Sequence, residues 1–255
     1  SFTLNDGKTV TITPTGKGAS GVKTVSDNAA NNNTFTVGVD ASVVQGEHVF
    51  GTLTITPVTD KVTVTITENS GTELYDGTVK TVTGYTVTSI SNPLYKETDF
   101  SFTGTASVSG TNAGTYNMEL KPADFTNNSA NFTNVTFVIV DGTLEITKRQ
   151  VTLTSATDSK VYDGTALTNA TVTVTGDGWA DGEGATYDVT GTQTDVGESN
   201  NTFDYTLDDN TLAANYTIDT VEGKLTVTAL TDEVVVTITE NSGTELYDGT
   251  VKTVT

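Results

Sequence analysis

The chain is poor in the residues that carry most enzymatic chemistry. It contains no cysteine, one histidine (His48), one tryptophan and one methionine in 255 residues. Disulfides and thiolate metal sites are therefore excluded, and a single histidine leaves neither the usual pairing of nucleophile and base nor a histidine-rich metal site. We expect His48 at the surface edge of a strand, and we expect the protein not to be an enzyme.

Positive charge and long apolar runs are also scarce. Twelve lysine and arginine residues stand against 32 acidic residues, for a formal net charge of -20. This charge repels phosphates and anionic headgroups, so nucleic acid is not an expected partner. No stretch approaches the roughly 18 apolar residues that span a bilayer, so we expect no membrane insertion. The opening "SFTLNDGKTV" lacks the pattern of a signal peptide, which suggests a mature or excised piece.

Strand-like alternation of apolar residues and threonine fills most of the chain. Segments such as "VTVTIT" (62–67) and "TVTVTG" (171–176) have an apolar residue at every second position. A period of two is typical of strands with one buried face, and threonine suits the solvated face. No sustained run has helical spacing, so the sequence predicts an all-β protein with thin cores.

Three sequence repeats divide the chain. "ELYDGTVK" occurs at 73–80 and 245–252, "KVYDGTAL" occurs at 160–167, and the whole of 64–83 recurs without change at 236–255. Each unit ends on a similar strand, seen as "GTLTIT" (51–56), "GTLEIT" (142–147) and "GKLTVT" (223–228). Such internal repeats indicate tandem modules.

These landmarks predict two whole modules, 60–148 and 149–231. Residues 1–59 resemble the later part of a module, and 232–255 resemble its first strand or strands. Together the two end segments have the length of one module, so one module is split between the ends of the chain. A sheet that lacks a strand exposes unpaired backbone groups and is a template for another segment.

The two halves of the split module are therefore expected to meet. Either the chain is one period of a longer tandem polypeptide, or separate subunits join head to tail by strand addition, which gives a fibre. In both cases the partner is another copy or the adjacent repeat. The residues predicted to form the inter-module strand are Val234, Val236, Ile238 and Tyr247.

The repeated segments resemble a known family. "KVYDGTALTNATVTV", "TDVGESNNTFDYTL", "ANYTI" and "GKLTVT" in one module, with "ELYDGTVK", "NAGTYNMEL" and "GTLEIT" in the other, are similar to the YDG/MBG-type Ig-like repeats of large bacterial cell-surface adhesins. The resemblance covers 60–231 and extends to 232–255. It implies tandem Ig-like β-sandwich modules that form an elongated rod, without catalysis, at the extracellular bacterial cell surface.

The loop "GDGWADGEG" (176–184) offers a candidate ligand site. Asp177, Asp181 and Glu183 supply hard oxygen ligands of the kind that calcium takes, but acidic glycine-rich hairpins are also commonly just solvated. Calcium is the one cofactor that the sequence suggests. Trp179 in the same loop is either a platform for a sugar ring or, as we favour, a cover for the edge of the core.

The sequence contains candidate residues for two kinds of covalent modification. Isopeptide bonds to asparagine need a buried lysine, and the lysines near strand starts are Lys61, Lys80, Lys160 and Lys252. Lysine on a strand usually points to water, which is the interpretation that we favour. The triplets at Asn131 and Asn215 fit a glycosylation pattern but follow from a composition rich in threonine and asparagine.

The function predicted from the sequence is mechanical. The chain is expected to be a non-catalytic structural repeat of an extracellular filament or adhesin stalk, joined head to tail by its C-terminal strand. The alternative is an adhesin module that binds a host glycan or protein, with an exposed aromatic patch at Trp179 or in "NPLYKETDF" (92–100) as its mark.

Overall fold

A computed structural model describes residues 2–3, 7, 9–16, 20–39 and 51–254. They belong to two compact units, Ser1–Arg149 with Ala214–Tyr216, and Gln150–Ala213 with Thr217–Thr255. The protein is all-β, as the sequence predicts. Among the described residues no helix is long and apolar enough to cross a membrane. His48 lies outside the described residues, and the division at 59/60, 148/149 and 231/232 stays a prediction.

The N-terminal segment forms a small antiparallel sheet. Its strands, in the spatial order β1-β2-β3, are β1 (Phe2–Thr3), β2 (Thr9–Thr15) and β3 (Asn33–Val39). A 3-10 turn at Val25–Asp27 precedes β3. The closing segment of this module begins at Gly51, which bridges to Asn33, but the described residues 52–57 form no strand.

The 60–148 segment has two three-stranded sheets, with the orders β12-β4-β7 and β10-β13-β5, and two strand pairs, β6 with β9 and β8 with β11. Turns of 3-10 helix lie at Glu97–Asp99 and Pro122–Asp124. The strands are β4 (Val62–Glu68), β5 (Gly71–Leu74), β6 (Lys80–Thr83), β7 (Tyr85–Ile90), β8 (Phe100–Phe102), β9 (Ser107–Gly110), β10 (Gly114–Asn117), β11 (Phe125–Asn127), β12 (Val135–Val140) and β13 (Thr143–Thr147).

The opening strand of this segment serves both sheets. Its first half, β4, pairs in parallel with β12, and its second half, β5, pairs in parallel with the closing strand β13. The register of the second pairing runs from Leu144 opposite Gly71 to Thr147 opposite Leu74. The closing strand β13 therefore has the second half of the opening strand, β5, as one of its two neighbours in the sheet.

The 149–231 segment repeats this topology. Its sheets have the orders β16-β14-β20 and β15-β21-β18, β17 pairs with β19, and a 3-10 turn lies at Ala213–Asn215. The second half of the opening strand again pairs in parallel with the closing strand, here β15 with β21. The strands are β14 (Arg149–Ser155), β15 (Asp158–Val161), β16 (Val172–Gly176), β17 (Ala185–Val189), β18 (Gly197–Asn201), β19 (Phe203–Leu207), β20 (Tyr216–Val221) and β21 (Gly223–Thr228).

The cores follow the period of two. In β4 the apolar residues Val62, Val64 and Ile66 are at most 1% exposed, whereas the threonines between them are half-buried. Leu144 and Ile146 of β13 are also buried, at 0% and 2% exposed. Each core is thin, because only one face of each strand contributes to it.

Aromatic rings extend the core of the 60–148 segment. Phe125 lies 5.4 Å from Phe137 and 6.0 Å from Phe100, measured between ring centroids. Phe100 and Phe137 are 5.2 Å apart, and these rings join β8, β11 and β12. Aromatic contacts of this geometry add stability beyond the burial of their area.

A glycine stands at the start of each complete closing segment, with Gly142 just before β13 and Gly223 as the first residue of β21, and the backbone of the opening segment passes close by. A Cβ on Gly142 would lie 2.4 Å from the carbonyl oxygen of Asn69, and one on Gly223 would lie 2.3 Å from that of Ala156. These contacts are with backbone atoms, so a side chain at either position has no room.

A buried side chain at the end of the opening strand holds the same crossing together. Glu68 is 3% exposed, and its two carboxylate oxygens accept the N–H groups of Leu120, at 2.5 Å, and Gly142, at 2.7 Å. In the next segment the hydroxyl of Ser155 accepts the N–H of Gly223 at 2.9 Å and donates to the carbonyl of Asn201. Different side chains thus satisfy equivalent backbone groups.

Candidate functional site: the Tyr-Asp-Gly-Thr turns and the split module

Each Tyr-Asp-Gly-Thr motif forms a tight turn with a left-handed glycine. The φ angles of Gly77, Gly164 and Gly249 are 81°, 78° and 76°. Glycine adopts this conformation without steric cost, and aspartate before it can accept nearby amide hydrogens. The motif is repeated because the chain makes the same turn three times.

The aspartate of each motif accepts three hydrogen bonds. Asp76 accepts the N–H of Thr78 at 2.9 Å, its hydroxyl at 2.6 Å, and the ammonium group of Lys80 at 2.5 Å. Asp248 has the same arrangement with Thr250 and Lys252, at 3.0, 2.7 and 2.7 Å. The turn is thus a local structure that forms even where no sheet surrounds it.

The aspartate of the middle motif also accepts three hydrogen bonds, but its lysine partner comes from a different position in the chain. Asp163 accepts the N–H and the hydroxyl of Thr165, and it binds Lys160 at 2.8 Å. This lysine lies three residues before the aspartate, whereas in the other two motifs it lies four residues after it. The three lysines are thereby placed in ion pairs with the turns, which favours a role in the turn over an isopeptide bond.

Acid is expected to weaken these turns. The Lys80 ammonium group, followed by the Thr78 hydroxyl and amide, holds the pKa of Asp76 well below its ordinary value of 3.8. Lys160 has the same effect on the pKa of Asp163. Because both pKa values are lower in the folded state, the stabilisation is complete above pH 3.8 and is lost as the pH falls through the folded pKa.

The measurement is the melting temperature between about pH 6 and pH 2. We expect the double variant D76N/D163N to lose less stability on acidification than the wild type, because the variant no longer has these carboxylates to protonate. The control variant is D181N, which removes an exposed carboxylate outside these turns. Equal slopes in all three proteins would contradict a stabilising role for the turn aspartates.

The tyrosines of the three motifs differ in burial. Tyr75 is 4% exposed, and its ring meets the ring of Tyr216 edge to face at a centroid distance of 5.7 Å. Tyr162 is 40% exposed and Tyr247 is 97% exposed. Among the three, Tyr75 alone is buried, and its ring has an aromatic neighbour.

The C-terminal segment contains the predicted inter-module strand. Val234, Val236, Ile238 and Tyr247 are 74%, 74%, 84% and 97% exposed, and the described residues 229–254 form no strand. In contrast, the identical sequence at 64–83 forms β4, β5 and β6, with Val64 and Ile66 fully buried. One sequence thus has two conformations within the same chain.

The acidic loop does not gather its carboxylates. Asp177 directly follows β16, beside the start of β14, and its side chain accepts the N–H of Gln150 at 2.8 Å. Asp181 is exposed, and the N–H of Glu183 donates to the carbonyl of Ala180. Throughout the described part of the chain, no three acidic, histidine or cysteine side chains form a group that could hold a metal ion. The calcium prediction therefore gains no support.

Trp179 is half-buried, and its side chain is hydrogen-bonded. Its indole N–H donates to the hydroxyl of Tyr187 in β17 at 3.3 Å. This contact favours a role in covering the strand over a role as an exposed sugar platform.

The two asparagines that fit a glycosylation pattern have structural roles that the sequence analysis missed. Asn215 is 0% exposed, and its side-chain oxygen accepts the N–H of Ala113 at 2.8 Å. Asn131 is half-buried, and its side-chain oxygen accepts the N–H of Val25 at 2.7 Å. Each is followed by a buried aromatic residue and a threonine, so the repeated Ala-Asn-aromatic-Thr pattern was the available signal.

Comparison with known proteins identifies one repeat domain in the chain. Residues 62–148 match the family described as the MBG domain. No curated protein and no solved structure matches the chain. The MBG domain is a repeat domain of surface proteins and is not known to be catalytic. The match covers the two sheets and the first Tyr-Asp-Gly-Thr turn, so residues 62–148 are identified as an MBG domain, the YDG/MBG-type domain of surface adhesin-like proteins.

Proposed function

We propose that the chain is a structural repeat of an extracellular filament or adhesin stalk on a bacterial surface. Residues 232–255 of one copy complete the split module of the next copy, either as adjacent repeats of one polypeptide or as separate subunits. The modules then follow one another as a rod, and the rod holds a binding tip away from the cell. The MBG domain at 62–148 supports a surface location.

The observation that carries this proposal is the double conformation of one sequence. Residues 64–74 form strands in a complete module, but the identical residues 236–246 are exposed and form none. A strand sequence with alternating valine and isoleucine gains stability only when its apolar face is buried and its backbone is paired. The C-terminal segment lacks both, and it is therefore suited to pairing with another module.

The recipient edge lies in the closing segment of the first module. The backbone groups of Leu53 are hydrogen-bonded to the side chain of Asn32, and those of Ile55 to the side chain of Asn28. Backbone groups of successive residues in an extended chain point in opposite directions. Thr54 and its even-numbered neighbours therefore present their N–H and C=O groups away from the asparagines, where a further strand can pair.

The complete module gives the expected register. Leu144 to Thr147 of β13 lie opposite Gly71 to Leu74 of β5. The equivalent closing residues are 53–56, and the equivalent opening residues are 243–246. Transfer of the register places Leu53 opposite Gly243 and Thr54 opposite Thr244.

The first glycine of the closing segment supports the same arrangement. Gly142 and Gly223 are crowded by the backbone of their opening strands. For their equivalent, Gly51, the nearest described atom to an added Cβ is Nδ2 of Asn33, at 3.8 Å. The glycine thus stands where a crossing strand would need it, and within the described chain no strand crosses there.

Disulfide cross-linking tests the proposal directly, because the chain has no cysteine of its own. Adjacent strands lie about 4.8 Å apart, within the Cα separation that a disulfide bridges. We expect the double variant T54C/T244C to form a ladder of covalent oligomers under mild oxidation. Non-reducing gel electrophoresis measures the ladder.

The control shifts one cysteine by a single residue. In T54C/E245C the two side chains would point to opposite faces of the sheet, so the ladder should be largely lost. Ladders of equal strength in both variants would indicate random collisions and would contradict strand completion. The absence of a ladder in T54C/T244C would do the same.

A further inference from the structure

A cavity of about 340 Å³ lies within the first compact unit, beside the end of the closing segment. Its walls include Val25, Thr56, Val58, Asn131 and Phe132, and it is mainly apolar in character. We call it the tyrosine cavity. It involves no residue of the acidic loop or of the Tyr-Asp-Gly-Thr turns.

In a complete module, the position equivalent to this cavity is occupied by Tyr75. The N–H of Tyr75 donates to the carbonyl of Thr147 at 2.9 Å, and its own carbonyl accepts from Arg149 at 3.2 Å. Its ring packs against Tyr216, 5.7 Å away. The residue before Tyr216 is Asn215, which accepts the N–H of Ala113.

The walls of the tyrosine cavity are the equivalents of these neighbours. Thr56 ends the closing strand "GTLTIT" as Thr147 ends "GTLEIT", and Val58 follows Thr56 at the spacing at which Arg149 follows Thr147. Asn131 and Phe132 occupy the places of Asn215 and Tyr216 in the Ala-Asn-aromatic-Thr pattern.

The hydrogen bonds of the two asparagines confirm this correspondence. Asn131 accepts the N–H of Val25 at 2.7 Å, and Asn215 accepts the N–H of Ala113 at 2.8 Å. Phe132 is 5% exposed and Tyr216 is 3% exposed, so both aromatic side chains are buried. The closing-strand threonine, the asparagine and the aromatic ring beside Tyr75 therefore have equivalents at the cavity, whereas Val58 has no side-chain donor in place of Arg149.

We propose that the tyrosine cavity binds the side chain of Tyr247 from a second copy of this chain. The proposal rests on the proposed function, because Tyr247 follows 243–246 as Tyr75 follows Gly71–Leu74. Its ring packs on Phe132, and its N–H donates to the carbonyl of Thr56. Tyr247 is 97% exposed, so binding buries its whole aromatic ring.

The test measures self-association of the full 255-residue chain by sedimentation velocity over a range of concentrations. Full burial of an aromatic ring corresponds to roughly a 10- to 100-fold change in affinity. We expect Y247A to weaken association by that factor, and Y247F to recover most of the loss because the ring is what the cavity holds. The matched control is Y162A, which removes an exposed tyrosine of the same motif outside the C-terminal segment.

A chain that ends at residue 231 separates the two proposals. If the full chain associates no better than the shortened chain, both the strand completion and the cavity assignment are wrong. If the shortened chain loses association but Y247A retains it, strand completion stands and the cavity assignment is overturned. A weaker Y247A with an unchanged Y162A supports both.

A photoreactive benzoylphenylalanine at position 247 gives a second readout that does not depend on the strength of association. We expect intermolecular cross-links to 55–58 and to Phe132, identified by mass spectrometry. Cross-links confined to other surfaces would overturn the assignment.

Discussion

Gly223→Ala is expected to unfold the module that contains it. The added Cβ would lie 2.3 Å from the carbonyl oxygen of Ala156. It would lie 2.4 Å from the carbonyl carbon of Ala156 and from the carbonyl oxygen of Ser155. These are backbone atoms of the opening strand, so relief requires β14 and β21 to separate. Overpacking against backbone belongs to the severe class of substitutions, and we expect a loss of at least about 4 kcal/mol.

Hydrogen exchange measured by mass spectrometry locates the effect of this substitution. Protection should be lost across 149–231 and kept across 60–148. Gly184→Ala is the matched control in the same module, because the nearest atom to its Cβ is a carboxylate oxygen of Asp208 that can rotate away. A protection pattern in G223A equal to that of G184A would contradict the crossing geometry.

Glu68→Ala is expected to destabilise the 60–148 module by about 3 kcal/mol, because two buried N–H groups would lose their acceptor. These groups belong to Leu120 and Gly142, and the carboxylate that serves them is 3% exposed. The effect should appear as a lower midpoint of urea denaturation with an unchanged slope.

Two variants bracket the Glu68 prediction. Glu73→Ala removes an exposed glutamate five residues further along the opening strand and should change stability by less than about 0.5 kcal/mol. Glu68→Gln keeps one acceptor oxygen and should fall between the wild type and E68A. A loss in E73A as large as that in E68A would show that the buried carboxylate has no special role.

Much of the fold is readable from the alternation of apolar residues and threonine. Val62, Val64 and Ile66 are buried as the period of two requires, and the repeated motifs place left-handed glycines at equivalent turns. These features are local, so neighbouring residues determine them. The MBG domain at 62–148 could likewise be anticipated from the repeated turn and closing strand.

The features that could not be predicted depend on contacts between distant residues. Glu68 is an ordinary polar residue in sequence, and only the crossing of two strands makes it a buried acceptor for Gly142. Tyr75 and Tyr162 share one motif, but Tyr75 is 4% exposed and packs against the ring of Tyr216, whereas Tyr162 is 40% exposed. In the sequence, the triplets at Asn131 and Asn215 are explained by a composition rich in threonine and asparagine. Their structural roles are not visible there, because their hydrogen-bond partners are far away in the chain.

The parallel pairing of β5 with β13, and of β15 with β21, determines how a module responds to pulling. The chain enters a module through the opening strand and leaves through the closing strand, and the two run in the same direction. Tension along the chain therefore slides these strands past each other, and all the hydrogen bonds between them carry the load at once. Such shear makes unfolding under force slow, and a completed split module would have the same mechanical resistance as its neighbours.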